Sequence, residues 1–162
     1  KRSDSPRITR DAMKTLITMV LEGKPYEETR STISEIVRKY RAGEYDLDMI
    51  GIPGGIGKAL EDYDIPDAQV RAAKYSNEYL GTNFGKGSKP KRLYIKNVPA
   101  GYPRTDVVCF EYPDQIPIGF IIDRETMLKK SLEDPLTRIL EALGWNWAEF
   151  DPSITTLSQW GI

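Results

Sequence analysis

The segments "RLYIKNV" (Arg92–Val98) and "TDVVCFEY" (Thr105–Tyr112) decide the fold class. The first alternates apolar and polar residues, and the second runs apolar from Val107 to Phe110, both in the manner of strands. On either side the period is helical. Upstream, Ser5 as N-cap and Pro6 at the first helical position introduce Met13, Leu16, Ile17, Val20 and Leu21, a 3.6-residue apolar stripe expected to face the core. "GKP" (Gly23–Pro25) stops this helix. Pro25 starts a second one with Ile33, Ile36, Val37 and Tyr40 on one face, basic Arg38, Lys39 and Arg41 near its end, and Gly43 just beyond. The two helices are expected to pair as an antiparallel hairpin over about 6–42. A mixed α/β part is expected over about 45–150, with a third helix from about Pro66 to Leu80. Its last segment, "IDRETMLKKSLEDPLTRILEALGW" (Ile122–Trp145), is predicted to be helical with an interruption at Asp134-Pro135, because proline breaks a helix or starts the next. Leu136, Ile139, Leu140 and Leu143 form its core stripe, and Trp145 and Trp147 are expected to cap it against the body. The fold class is α+β: a helical hairpin plus a small antiparallel sheet packed with C-terminal helices.

Composition narrows the chemistry. The chain has 162 residues, enough for a core that buries roughly 70% of the unfolded surface. Lys and Arg number 23 against 24 Asp and Glu, a net charge of −1, so any electrostatic attraction to a partner must be local. No apolar run approaches the roughly 20 residues that span a bilayer, and a membrane partner is not expected. Lys1 is neither a natural start nor the opening of a signal peptide, so a fragment of a longer cytoplasmic polypeptide is expected. The sequence has no histidine, which excludes Ser-His triads, Cys-His pairs and His-based metal centres. Cys109 sits in apolar "VVCF" as a small buried hydrophobe. Acidic pairs at Glu27-Glu28 and in the two "LED" triplets, Leu60–Asp62 and Leu132–Asp134, fall at helix termini, where the helix dipole accounts for them. No catalytic or metal-ligating residue is assigned.

Two glycine-rich stretches remain. In "GIPGGIGKAL" (Gly51–Leu60) the Gly57-Lys58 pair has the look of a P-loop, but Ile52 stands where the first glycine is required and Ala59 replaces the Ser or Thr that would hold magnesium. What is left is a loop of Gly54, Gly55 and Gly57 able to approach a phosphate or simply to turn tightly. "FGKGSKPKRLYIK" (Phe84–Lys96) places Lys86, Lys89, Lys91, Arg92 and Lys96 together without an acid. With Phe84 and Tyr94 beside them, they suit a surface that tracks a nucleic-acid backbone.

The order "RSDSPRI" (Arg2–Ile8), "GIGKALEDYD" (Gly55–Asp64), "AQVRAAKYSNEYL" (Ala68–Leu80), the Ile122–Trp145 segment and finally "TTLSQW" (Thr155–Trp160) resembles the C-terminal thumb region of archaeal family B DNA polymerases. The resemblance spans nearly the whole chain. Arg2, Ser3 and Asp4 resemble the Arg-x-Asp that leaves the palm and enters the thumb. Lys58, Leu60 and Tyr63 resemble the Leu-x-x-Tyr element after a loop lying on the duplex. Val70, Ala73 and Lys74 resemble an HVxxAK helix, although Gln69 stands where that motif has histidine. The tail at 151–162 resembles a flexible clamp-binding Q-x-x-L-x-x-W element, matched at Leu157 and Trp160, with Ile154 in the glutamine position.

This resemblance implies a grip on double-stranded primer-template DNA by Arg2, Ser3, Lys58, Arg71, Lys74, Lys86, Lys89, Lys91 and Arg92. It implies a tether to a sliding clamp through Ile154, Leu157 and Trp160, and association with the remaining polymerase domains in a prokaryotic, nucleoid-associated setting. Family catalysis uses palm aspartates, in sequences of the SLYPS and DTD kind, to hold two Mg2+ ions. Neither motif occurs here, so the chain is expected to have no cofactor of its own and to be inactive alone. The competing readings are a non-catalytic clamp-binding adaptor and the natural small subunit of a split family B polymerase. A tail that folds back on its own domain competes with the tether.

Overall fold

The computed structural model describes residues 4–154. Helix α1 (Arg7–Leu21) starts after Pro6, which occupies the N-cap without a side-chain cap, so Ser5 lies outside the helix. It is followed by α2 (Tyr26–Arg41), with Pro25 at the N-cap. Each helix ends in a left-handed glycine, at Gly23 (φ 72°) and Gly43 (φ 75°). That turn lets Lys24 N–H reach Met19 O at 3.0 Å and Glu44 N–H reach Lys39 O at 3.0 Å, closing carbonyls the helix leaves open. α2 buries Ile33, Val37 and Tyr40. In α1 the buried face is Ile8, Thr9, Ala12 and Leu16. Of the expected stripe, Ile17 is 42% and Leu21 81% exposed. The apolar arc of α1 is wider than the side it presents to α2 and the C-terminal helix, so its far edge is left at the surface.

A short helix α3 (Leu47–Ile50) leads into β1 (Ile52–Pro53), and after the glycine loop comes α4 (Ala68–Tyr79). Strands β2 (Lys91–Asn97), β3 (Val107–Phe110) and β4 (Ile121–Ile122) complete an antiparallel sheet. The α+β class of the sequence is the observed one. β2 is central: it pairs β3 with Leu93 opposite Val108, β1 with Arg92 opposite Ile52, and β4 with Ile95 opposite Ile122. The outer edge of β3 is covered by α4. Ser76 Oγ donates to Cys109 O and accepts from Cys109 N–H, both at 2.8 Å, so this part of the edge is closed to further pairing. Cys109 is fully buried, and burial pushes its thiol up to about 12.

The C-terminal helix runs on through the expected break. α5 (Arg124–Leu128) passes through a π-helical turn (Lys129–Glu133) into α6 (Asp134–Ala142). In a regular α-helix the residue at 135 would donate to Ser131 O, but proline has no donor and its ring crowds that carbonyl. The ladder instead widens one turn earlier, where Asp134 N–H reaches back to Lys129 O. The Ser131 carbonyl accepts from the buried Thr9 hydroxyl of α1 at 2.6 Å. Beyond α6, Trp147 and Phe150 are buried, and the Trp145 ring lies edge-on to Tyr26 with centroids 5.0 Å apart. Asp151 is 3% exposed. It accepts from Arg41 Nη1 and Nη2 at 2.6 and 3.0 Å, from Trp147 Nε1 at 3.2 Å and from Ser153 Oγ at 2.9 Å.

Candidate nucleic-acid interface

The two glycine-rich stretches, separate in sequence, are one two-stranded ribbon in space. The β1–β2 pairing continues beyond the sheet: Gly54 N–H donates to Pro90 O (3.2 Å), Ile56 N–H to Ser88 O (2.9 Å) and Gly87 N–H to Ile56 O (2.8 Å). Gly87 sits at φ 89°, a conformation that favours glycine. The basic arm is tied down at its start by Asn77 of α4, whose Nδ2 donates to Phe84 O and whose Oδ1 accepts from Phe84 N–H, both at 2.8 Å. It is closed by Ser88 Oγ, which accepts from Gly85 N–H at 2.9 Å. The glycine arm is held by Tyr63, whose hydroxyl accepts from Gly57 N–H at 3.0 Å.

Of the basic residues singled out in the sequence, Lys58, Lys86 and Lys89 are exposed on this ribbon. The Lys58 ammonium lies 5.0 Å from the Tyr63 ring centroid, and Lys89 Nζ lies 3.2 Å from Asp4 Oδ1. Lys91 and Arg92 are only half-exposed and are engaged internally. Lys91 pairs with Asp48 at 3.0 Å. Arg92 donates to Gln69 Oε1 at 2.6 Å and to Tyr94 Oη at 3.2 Å, with its guanidinium 5.4 Å from the Tyr94 ring centroid. Arg71 and Lys74 stand exposed on α4, Arg71 paired with Asp106 at 2.9 Å and Lys74 beside a shallow depression formed with Leu60, Glu61, Asn77 and Glu78. Arg2 and Ser3 lie outside the described residues, as do Leu157 and Trp160. Ile154 is 36% exposed.

The glycines of the loop divide by cause. A Cβ on Gly54 would come within 2.9 Å of Gln69 Cδ, so a side chain here would displace the Gln69 amide. A Cβ on Gly55 would meet nothing within 4 Å. Among the described residues the Gly55 amide donates no hydrogen bond, which leaves a bare donor on an exposed residue three positions before Lys58. Gln69 was legible only as a departure from a motif. In the fold it is 7% exposed and bonded to both arms of the ribbon. Among the described residues no group of three or more His, Cys, Asp or Glu side chains could hold a metal ion, and no helix is long and apolar enough to cross a membrane.

No family model matches the chain, and no curated protein matches it. Among solved structures it is similar to the family B DNA polymerase from the hyperthermophilic archaeon Pyrobaculum calidifontis, with a TM-score of 0.66 and 19% sequence identity over 85% of this chain. The likeness is one of fold, and the chain spans 18% of that polymerase's length.

Proposed function

We propose that this chain is the C-terminal thumb region of a family B DNA polymerase and that it grips primer-template duplex without reading its sequence. The observation that carries the reading is the ribbon. It carries the exposed Lys58, Lys86 and Lys89 and the unbonded amide of Gly55, and Arg71 and Lys74 are exposed on α4, the helix that holds the ribbon through Asn77 and Gln69. Lysine ammonium groups and open backbone amides suit phosphate oxygens, and such contacts carry affinity without base specificity. The fold likeness to a family B polymerase supports the same reading. Lys91 and Arg92, being engaged internally, serve to hold the ribbon on the sheet.

Metal-assisted phosphoryl transfer, with its two Mg2+ ions, belongs in this reading to polymerase segments outside this chain. The exposed Ile17 and Leu21 of α1 offer those segments an apolar surface to cover. The tail carrying Ile154, Leu157 and Trp160 tethers the domain to a sliding clamp, two or three apolar anchors giving about micromolar affinity that DNA held in common strengthens.

The deciding measurement is the affinity for a fluorescent primer-template duplex across a sodium chloride series. With about five phosphates neutralised, log affinity falls against log salt with a slope of roughly −4 to −5. The combined reversal Lys58→Glu, Lys86→Glu and Lys89→Glu is expected to abolish binding while the melting temperature holds. A wild-type slope near zero rules out the grip.

A further inference from the structure

We infer that Gln69 is the positioning residue of this ribbon: it fixes the distance between the glycine arm and the basic arm, so that the lysines and the Gly55 amide meet a phosphate backbone as one rigid surface. The inference rests on the DNA-grip reading and names the residue that grip depends on without touching DNA.

Gln69 lies in the first turn of α4, a helix whose start is fixed by Asp67 accepting from Val70 N–H at 3.0 Å. From there its amide nitrogen donates to Gly54 O of one arm at 2.8 Å and to Pro90 O of the other at 2.9 Å. Its amide oxygen accepts from Arg92 at 2.6 Å. Both N–H bonds and one lone pair are therefore used, and the partners come from both arms of the ribbon, Gly54 from the glycine arm and Pro90 and Arg92 from the basic arm where it enters β2. The Pro90 carbonyl also accepts from Gly54 N–H, whereas among the described residues the Gly54 carbonyl has Gln69 as its donor. Glutamine is the side chain that fits this demand. A glutamate would press a carboxylate against two carbonyl oxygens, a lysine would offer no acceptor to Arg92, and a neutral histidine has one donor rather than two. Gly54 completes the fit, because a Cβ there would sit 2.9 Å from Gln69 Cδ and push the amide off the loop.

The position of the clamp explains why it acts on the interface. Gly54 and Pro90 are the first residues past the β1–β2 ladder, where the regular pairing at Ile52–Pro53 gives way to the looser ribbon. A clamp at that junction decides whether the remaining ribbon bonds, Ile56 to Ser88 and Gly87 to Ile56, stay in register. A flexible ribbon would still carry its lysines but would have to be ordered at each encounter, which lowers affinity and the number of phosphates held at once.

The test uses the full chain with two variants, Gln69→Leu, which keeps the volume and removes the hydrogen bonds, and Gly54→Ala, which displaces the amide from the opposite side. Amide hydrogen exchange reads the ribbon directly. Each variant is expected to speed exchange at Ile56 and Gly87 by about tenfold or more while the β2–β3 ladder amides are unchanged. Each should weaken duplex affinity by about tenfold with a shallower salt slope, and the double variant should be no worse than either single one, since both break the same contact. Unchanged exchange at Ile56 and Gly87 overturns the inference, as does faster exchange with unaltered DNA affinity. If Gln69→Leu fails to fold, Gly54→Ala decides, because it leaves α4 intact. A wild-type chain without salt-dependent duplex binding would fail in the DNA measurement alone, which identifies the grip reading, and not the clamp, as the point of failure.

Discussion

At Asp151 burial and hydrogen bonding pull in opposite directions. Desolvation favours the protonated acid, but the side-chain hydrogen bonds from Arg41 and Ser153, together with the positive charge of Arg41, outweigh it and hold the carboxyl below its usual range. A depressed folded-state value means the stabilisation is complete above the unfolded value of about 4 and is lost as pH falls through the folded one. Urea midpoints are therefore expected to drop as pH falls below about 4, and Asp151→Asn should flatten that part of the profile. Asp151→Ala should cost up to about 3 kcal/mol at neutral pH, because Arg41 loses its buried partner; Glu125, 2.9 Å from Arg41, keeps the cost from being larger. An equal acid slope in Asp151→Asn would show that other carboxylates govern it. At this scale the sequence is informative where a residue's own character decides. Cys109 in its apolar run was legible as a buried hydrophobe. Asp151 was not, for in "EFDPS" it has the look of any acidic turn, and its partner Arg41 is on α2.

Elements are set by short-range rules up to the point where a proline has to be accommodated. The hairpin was legible because both helices announce themselves by period and stop at left-handed glycines, Gly23 and Gly43. β1 and β4, at two residues each, have no period to detect and exist only as partners of β2. In the C-terminal helix the sequence located the disturbance near Pro135 but not its form. A break would have exposed Leu132 and Leu136, which are fully buried; a π turn keeps both inward and hands the Ser131 carbonyl to Thr9. Thr9→Val keeps the shape but withdraws that donor, so an unfolding free energy lower by about 1 to 3 kcal/mol is expected from chemical denaturation. In a Pro135→Ala background the new N–H can serve the same carbonyl, and the cost of Thr9→Val should fall to less than half. Equal costs in both backgrounds would mean that Pro135 and Thr9 are not linked through Ser131.

The whole molecule places the ribbon on one end of the sheet and anchors the chain through Asp151 before the tail. That anchor sets where a truncation has to be made. Ser153 donates to Asp151 from both its backbone and its hydroxyl, at 3.1 and 2.9 Å, so a cut at Ser153 removes part of the lock. Deleting residues 155–162 instead is expected to abolish clamp capture in a pull-down on immobilised clamp and to leave the melting temperature within about 1 °C. A large fall in melting temperature would favour a tail that packs on its own domain. By itself the sequence determined the helices of the hairpin and the glycines that end them, the two longer strands, the α+β class, the local basic character on a nearly neutral chain and the absence of any histidine chemistry. Each of these follows from residue types a few positions apart, through period, φ preference and composition. Only the tertiary structure decided that the glycine loop and the basic loop are one ribbon, that Gln69 bonds to both its arms, that Lys91 and Arg92 are engaged by Asp48, Gln69 and Tyr94 while Lys58, Lys86 and Lys89 are exposed, and that Thr9 answers Pro135. The reason is physical: a buried carbonyl or guanidinium takes whichever donor or acceptor the packed fold brings within about 3 Å, and no local pattern records which distant residue that will be.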